Sequence, residues 1–171
     1  MTITALNKVH LPQMTQLFAE ANFFSADLFF RFNQRFFGFW QEGKLVAVIG
    51  AELNGHHGVL RSLVVSKAHR GAGIAKALIK HIEAYLVQQG VHTLYAFTQY
   101  GANYLTACNY RQILAKHVPS EINLLEYRLS TAKANDVIMS KELPYIKKQR
   151  AQQPSNYQNR LNPIKLITVA A

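Results

Sequence analysis

The sequence predicts one α/β (α+β) domain, a mixed and mostly antiparallel central sheet flanked by helices. Three observations predict it. Residues 35–66 hold three β-prone runs, "RFFGFWQ", "LVAVIGAEL" and "VLRSLVVS", separated only by the turns "QEGK" and "NGHHG", which is the pattern of an antiparallel meander. From residue 59 to 109 the pattern becomes strand, helix, strand, helix, so the sheet has to be mixed. The chain has 171 residues and 49% hydrophobic content, enough for one core and ordinary for a globular protein.

The elements follow in order. "ITALNK" reads as a short strand. "LPQMTQLFAEAN" places Leu11, Met14, Leu17 and Phe18 at helical spacing, with Pro12 acceptable in the first turn. "SADLFFRFNQ" reads as a second short helix capped by Ser25. "LVAVIGAEL" is apolar on both faces, as a buried strand is. Ile74, Leu78, Ile82 and Tyr85/Leu86 mark one stripe of a longer helix that stops at Gly90. "VHTLYAFT" is the next strand. "ANYLTACN" is a short helix that Asn109 can close in the left-handed conformation. "YRQILAKHV" and "DVIMSKEL" are weaker strands, separated by the poorly patterned "PSEINLLEYRLSTAKAN". The domain is expected to cover residues 1–143, followed by a basic polar tail over 144–171. That tail has two readings: loose, or adding a strand through "IKLITV", either to its own sheet or to a second copy in a homodimer.

The link "KAHRGAG" lies between a strand and a helix. The first turn of a helix has backbone N–H groups without intrahelical partners, and the helix dipole adds roughly half a positive charge there. Gly71 and Gly73 let a ligand approach the backbone, Arg70 adds a planar array of donors, and Ala72 and Ala75 keep the wall low. These are the parts of a phosphate or pyrophosphate site, although a loop of this kind can also simply turn the chain. A P-loop would need Gly-Lys followed by Ser or Thr, and a dinucleotide fingerprint would need glycine where Lys76 stands.

The stretch "LRSLVVSKAHRGAGIAKALIK" resembles motif A of the GNAT superfamily of N-acetyltransferases. That motif reads Arg/Gln-x-x-Gly-x-Gly/Ala after a strand and at the opening of a helix; here it is Arg70, Gly73 and Ala75. The resemblance covers most of residues 1–142 and implies the GNAT fold and an acetyl-CoA site. The pyrophosphate would lie on Arg70, Gly71, Ala72, Gly73, Ile74 and Ala75. The pantetheine would pair with the backbone of Leu63, Val64 and Val65 like an added strand, and Asn103 would touch the cofactor. A strand N–H near Leu63 would face the developing oxyanion. Many members carry a tyrosine on the short helix that protonates the leaving thiolate; in that register this chain has Leu105, with Tyr104 beside it. More narrowly, "LRSLVVSKAHRGAGIAKAL", "GVHTLYAFT" and "VPSEINLLEYRLSTAKANDVIMSKEL" are similar to arsenic-resistance N-acetyltransferases that act on arsinothricin or phosphinothricin-type amino acids. "FTQYGANYLTACNY" departs from that subfamily, and the tail after Leu143 is extra.

Transfer of an acetyl group needs a neutral amine held close to a thioester carbonyl, and a base within reach to take its proton. Glu52, one of nine acidic residues, stands near the end of an otherwise apolar strand and is the candidate base. It is equally placed to pair with Arg61 on the neighbouring strand, which would orient the carboxylate and lower its basicity. Arg61 interrupts "VLRSLVV", and arginine is seldom buried without a partner. It either clamps a substrate carboxylate or serves Glu52. Tyr104 is a candidate acid or a packing residue, and Thr98 either faces the cleft or ends its strand. His56 and His57, adjacent in sequence, belong to a turn and make no metal pair. Cys108 is expected to pack in the interior.

The formal net charge of +10 fits nucleic acid, an anionic surface or an anionic small molecule. Much of the excess falls in residues 141–171, where Lys141, Lys147, Lys148, Arg150, Arg160 and Lys165 face only Glu142. The tail reads as a solvated basic segment, with nucleic-acid binding through it as the second reading; acetyl-CoA and a small-molecule amine are the partners that the resemblance implies. The single cysteine excludes an internal disulfide, and no Cys/His spacing suggests a metal site. Apolar runs stop well short of a membrane span, and "MTITALNKVH" lacks the layout of a signal peptide, so a cytoplasmic location is expected. Alternatives to a small-molecule acceptor are a polyamine, an aminoglycoside or a protein amine. A non-catalytic module that binds acyl-CoA is the alternative to an enzyme.

Overall fold

The computed structural model describes residues 2–23, 30–123 and 136–144. Among them run β1 (Thr2–Leu6), α1 (Leu11–Glu20), β2 (Gln34–Gln41), β3 (Lys44–Asn54), β4 (His57–Val65), α2 (Ile74–Gln88), β5 (Thr93–Thr98), α3 (Ala102–Ala107), β6 (Arg111–Ile113), α4 (Ser120–Asn123) and β7 (Val137–Glu142). The strands form one sheet in the order β1-β2-β3-β4-β5-β7-β6. Every pairing is antiparallel except β4 with β5, which is parallel. This is the mixed, mostly antiparallel sheet that the meander and the later alternation predict.

Two packed layers enclose the sheet. On one face α2 buries Ile74, Leu78, Ile79, Ile82 and Leu86 against Ala47, Ile49, Ala51, Leu60 and Leu94. The stripe ends where expected: Gly90 adopts φ 84°, and the Val91 N–H returns to the Leu86 carbonyl at 3.0 Å. On the other face α1 seats Met14, Leu17 and Phe18 over Phe36, Val48 and Val64. A third cluster, Val59, Tyr95, Val118, Ile122 and Ile138, lies beneath α4.

Several expectations need correction. For the predicted helix over 25–34, residues 24–29 lie outside the described residues, Phe30–Asn33 is not helical, and Gln34 opens β2. Pairing with β3 wins there: Gln34 stands opposite Glu52, and the Leu53 N–H donates to the Asn33 carbonyl at 2.8 Å. "YRQILAKHV" forms a strand only over Arg111–Ile113 and then turns through a 3-10 segment at Ala115–His117. His56 occupies the β3–β4 turn, while His57 already belongs to β4. The tail and its "IKLITV" segment lie outside the described residues, as do residues 124–135 of the arsinothricin-type stretch. Among the described residues no helix is long and apolar enough to cross a membrane.

Candidate functional site

The site begins where the sheet comes apart. β4 and β5 are partners from His57–Thr93 to Leu60–Ala96. Beyond that point β4 continues with β3 as far as Val65, and β5 continues with β7 as far as Thr98. A bulge turns β4 at the fork: Gly50 pairs with Arg61 and Val48 with Val64, and Ser62 between them adopts φ 54°. The Ser66 N–H bonds back to the Val46 carbonyl at 2.9 Å. Alternation along an extended strand then turns the Leu63 and Val65 backbone groups the other way, toward the gap. The Val65 carbonyl indeed accepts from Arg70 Nε at 3.1 Å.

The glycine loop closes the upper end of this gap. Gly71 and Gly73 adopt φ 80° and 75°, left-handed values that side chains resist, and Gly73 is the residue from which α2 starts. A Cβ built on either would meet nothing within 4 Å, so the space above these amides is open. Together the loop and the free edge of β4 line a cleft of about 680 Å³. Of the residues expected from the sequence, Leu63, Val64, Val65, Arg70, Gly71, Gly73, Ile74, Ala75 and Tyr104 line it. Ala72 and Asn103 are exposed and do not line it. The open amides, the strand edge and a guanidinium fit a pyrophosphate-bearing chain such as CoA. Phe23, His69 and Tyr100 also line the cleft and were missed by the sequence reading. Tyr100 is 95% exposed, and its position one residue before Gly101, just past a strand, was the available signal.

A smaller cavity of about 190 Å³ continues into the fork and shares Phe23, Leu63, Gly101 and Tyr104 with the cleft. Arg61 and Thr98 line it. Thr98 Oγ1 accepts from the Gly101 N–H at 2.8 Å and so fixes the turn into α3. Tyr104 touches both cavities and is 42% exposed. Burial pushes its phenol above the usual tyrosine range, with a further rise from the Cys108 thiol, so the hydroxyl keeps its proton at neutral pH.

Glu52 and Arg61 form a buried ion pair, Arg61 Nη1 to Glu52 Oε2 at 3.3 Å. Asn33 Nδ2 and Gln34 Nε2 also donate to this carboxylate, at 3.3 and 3.4 Å. Room for the arginine comes from Gly50, where a Cβ would meet Phe36 ring carbons at 2.6 and 2.7 Å and Arg61 Cγ at 3.1 Å. Glu52 lines neither cavity, whereas Arg61 reaches the smaller one. The sequence pattern places Asn33 and Gln34 at the end of a helix, which hides their role as donors to Glu52.

The fold is one that known acetyltransferases share. No curated protein matches the sequence at a significant level. The ribosomal-protein-S18-alanine N-acetyltransferase from Escherichia coli superposes with a TM-score of 0.68 at 17% identity, over 86% of this chain and 96% of that one. N-acetylglutamate synthase from Neisseria gonorrhoeae, solved with coenzyme A and N-acetyl-glutamate, gives 0.68 at 15% identity, over 84% of this chain and 36% of that one. An aminoglycoside 6'-N-acetyltransferase complexed with coenzyme A gives 0.65 at 16% identity, over 85% of this chain and 99% of that one. The family model for "Acetyltransferase (GNAT) family" matches residues 3–109. With the glycine loop, the forked sheet and this match in agreement, the chain belongs to the GNAT family of N-acetyltransferases.

Proposed function

We propose that the protein transfers acetyl from acetyl-CoA to the primary amine of a small molecule, with a glutamate-like amino acid of the arsinothricin or phosphinothricin type as the acceptor. The observation that carries this reading is Arg61, a buried arginine among the residues that line the smaller cavity next to the cleft. A carboxylate on the acceptor would lie against it while the amine points to the cleft. That one solved relative holds N-acetyl-glutamate speaks for the same chemistry. The arsenic-resistance role and a cytoplasmic location belong to this reading.

Bound acetyl-CoA supplies the activated thioester. Arg70 and the amides of Gly71 to Ala75 hold the pyrophosphate, and the outward backbone of Leu63 and Val65 aligns the pantetheine. The Leu63 N–H stabilises the charge developing on the carbonyl oxygen. Glu52 accepts from three donors, on Asn33, Gln34 and Arg61, so its first role is to orient Arg61. Tyr104, protonated and facing both cavities, donates to the leaving sulfur.

Two substitutions test these roles. Arg61→Lys loses the planar fork, so steady-state kinetics should show the acceptor KM rising far more than the acetyl-CoA KM; equal, small effects would remove the clamp. Tyr104→Phe should lower kcat by about 10²-fold, the low end for general acid catalysis, with both KM values little changed. The decisive experiment is thiol release from acetyl-CoA across amino acids (phosphinothricin and arsinothricin among them), polyamines and aminoglycosides. Turnover confined to polyamines or aminoglycosides would overturn the acceptor assignment.

A further inference from the structure

The fork has two sides of different chemistry. On one side stand Arg61 and Phe97; on the other Leu60, Ala96 and Leu105, all apolar and all part of the cluster packed against α2. The vertex is the Leu60–Ala96 pair, the last point at which β4 and β5 are joined. The cavity of about 190 Å³ is worth roughly six waters at about 30 Å³ each, more than the two-carbon acetyl group fills. In the proposed reading the Arg61 side faces the acceptor carboxylate, so what remains for the acyl chain beyond the thioester position is the apolar floor.

We propose that the donor pocket accepts apolar acyl groups longer than acetyl, with propionyl and butyryl carried against Leu60, Ala96 and Leu105. This rests on the reading that the β4 edge receives the pantetheine, which brings the acyl carbon to the mouth of the fork. The reaction keeps its balance whatever the chain: the amine nitrogen bonds to the acyl carbon, the C–S bond breaks, and the proton lost by nitrogen ends on the CoA thiol. Apolar walls favour each added methylene by about 0.8 kcal/mol when it is fully buried, or about fourfold in affinity.

The test is a calorimetric titration of the full chain with acetyl-CoA, butyryl-CoA, hexanoyl-CoA, succinyl-CoA and free CoA, which needs no knowledge of the acceptor. Butyryl-CoA, with two further methylenes, is expected to bind up to about fifteenfold more tightly than acetyl-CoA. Ala96→Val fills the vertex and should bring the butyryl-to-acetyl affinity ratio down to one or below. Leu105→Ala opens the floor and should move the preference to hexanoyl-CoA; it reads in the opposite direction, so it carries the test alone if Ala96→Val does not fold. Butyryl-CoA binding more weakly than acetyl-CoA to the unaltered chain overturns the proposal. So does a ratio that neither variant moves, or a preference for succinyl-CoA over butyryl-CoA. Failure of every CoA species to bind would instead remove the cleft assignment on which the proposal stands.

Discussion

Gly73→Val should weaken acetyl-CoA binding by at least about 10²-fold while the fold survives. Gly73 sits at φ 75°, where a β-branched side chain is strained by roughly 1–3 kcal/mol, and relief of that strain rotates the amides that start α2. The added side chain also occupies the open space above the loop, where the pyrophosphate is expected. Gly90→Val is the matched control. Gly90 has φ 84° and equally open surroundings, but it lies at the far end of α2. Both variants should lose comparable stability in urea unfolding, and only Gly73→Val should lose binding in calorimetry. Parallel losses of binding would mean that the loop is only a turn.

Glu52→Leu or Arg61→Leu alone should destabilise the chain by about 3–5 kcal/mol, because each removes one member of a buried ion pair. The Glu52→Leu/Arg61→Leu double variant should regain most of that loss, since an apolar pair of similar volume removes the desolvation cost of both ions. Urea midpoints measure all three. Glutamate-like acceptors should be lost in every Arg61 variant, however stable it is. Glu52→Gln separates the two roles of the glutamate. If it serves Arg61 alone, the pH profile of kcat/KM keeps its shape; loss of the acidic limb would make it the base.

The part of the site built from local rules was legible in the sequence. Glycines before a helical stripe announce the loop, and the resemblance to motif A points to Leu63, Val64 and Val65 on the strand that precedes it. Arg61 and Glu52 could be paired from two adjacent strands and one short turn, even though the bulge at Ser62 shifts the register between them. What was hidden depends on distant contacts. Asn33 and Gln34 look helical in isolation and become strand-side donors only because β3 stands opposite them. Phe23 reaches the cleft from the end of α1, and no spacing in the sequence links it to Tyr104. The fork itself was invisible, because it arises where β5 takes β7 as its continuing partner, forty residues further on in the chain.

The divided sheet also ties the durability of the protein to its cosubstrate. Between Leu60 and Val65 the sheet has an interior edge that no strand among the described residues covers, and an extended ligand lying there would complete it. A ligand that binds only the folded form adds about 2.7 kcal/mol at a hundredfold excess over its Kd. Against a typical margin of about 5–15 kcal/mol, that is a sizeable share of what holds the molecule folded. When acyl-CoA is scarce, the protein is therefore expected to lose part of its resistance to proteases along with its turnover, which limited proteolysis with and without CoA would measure.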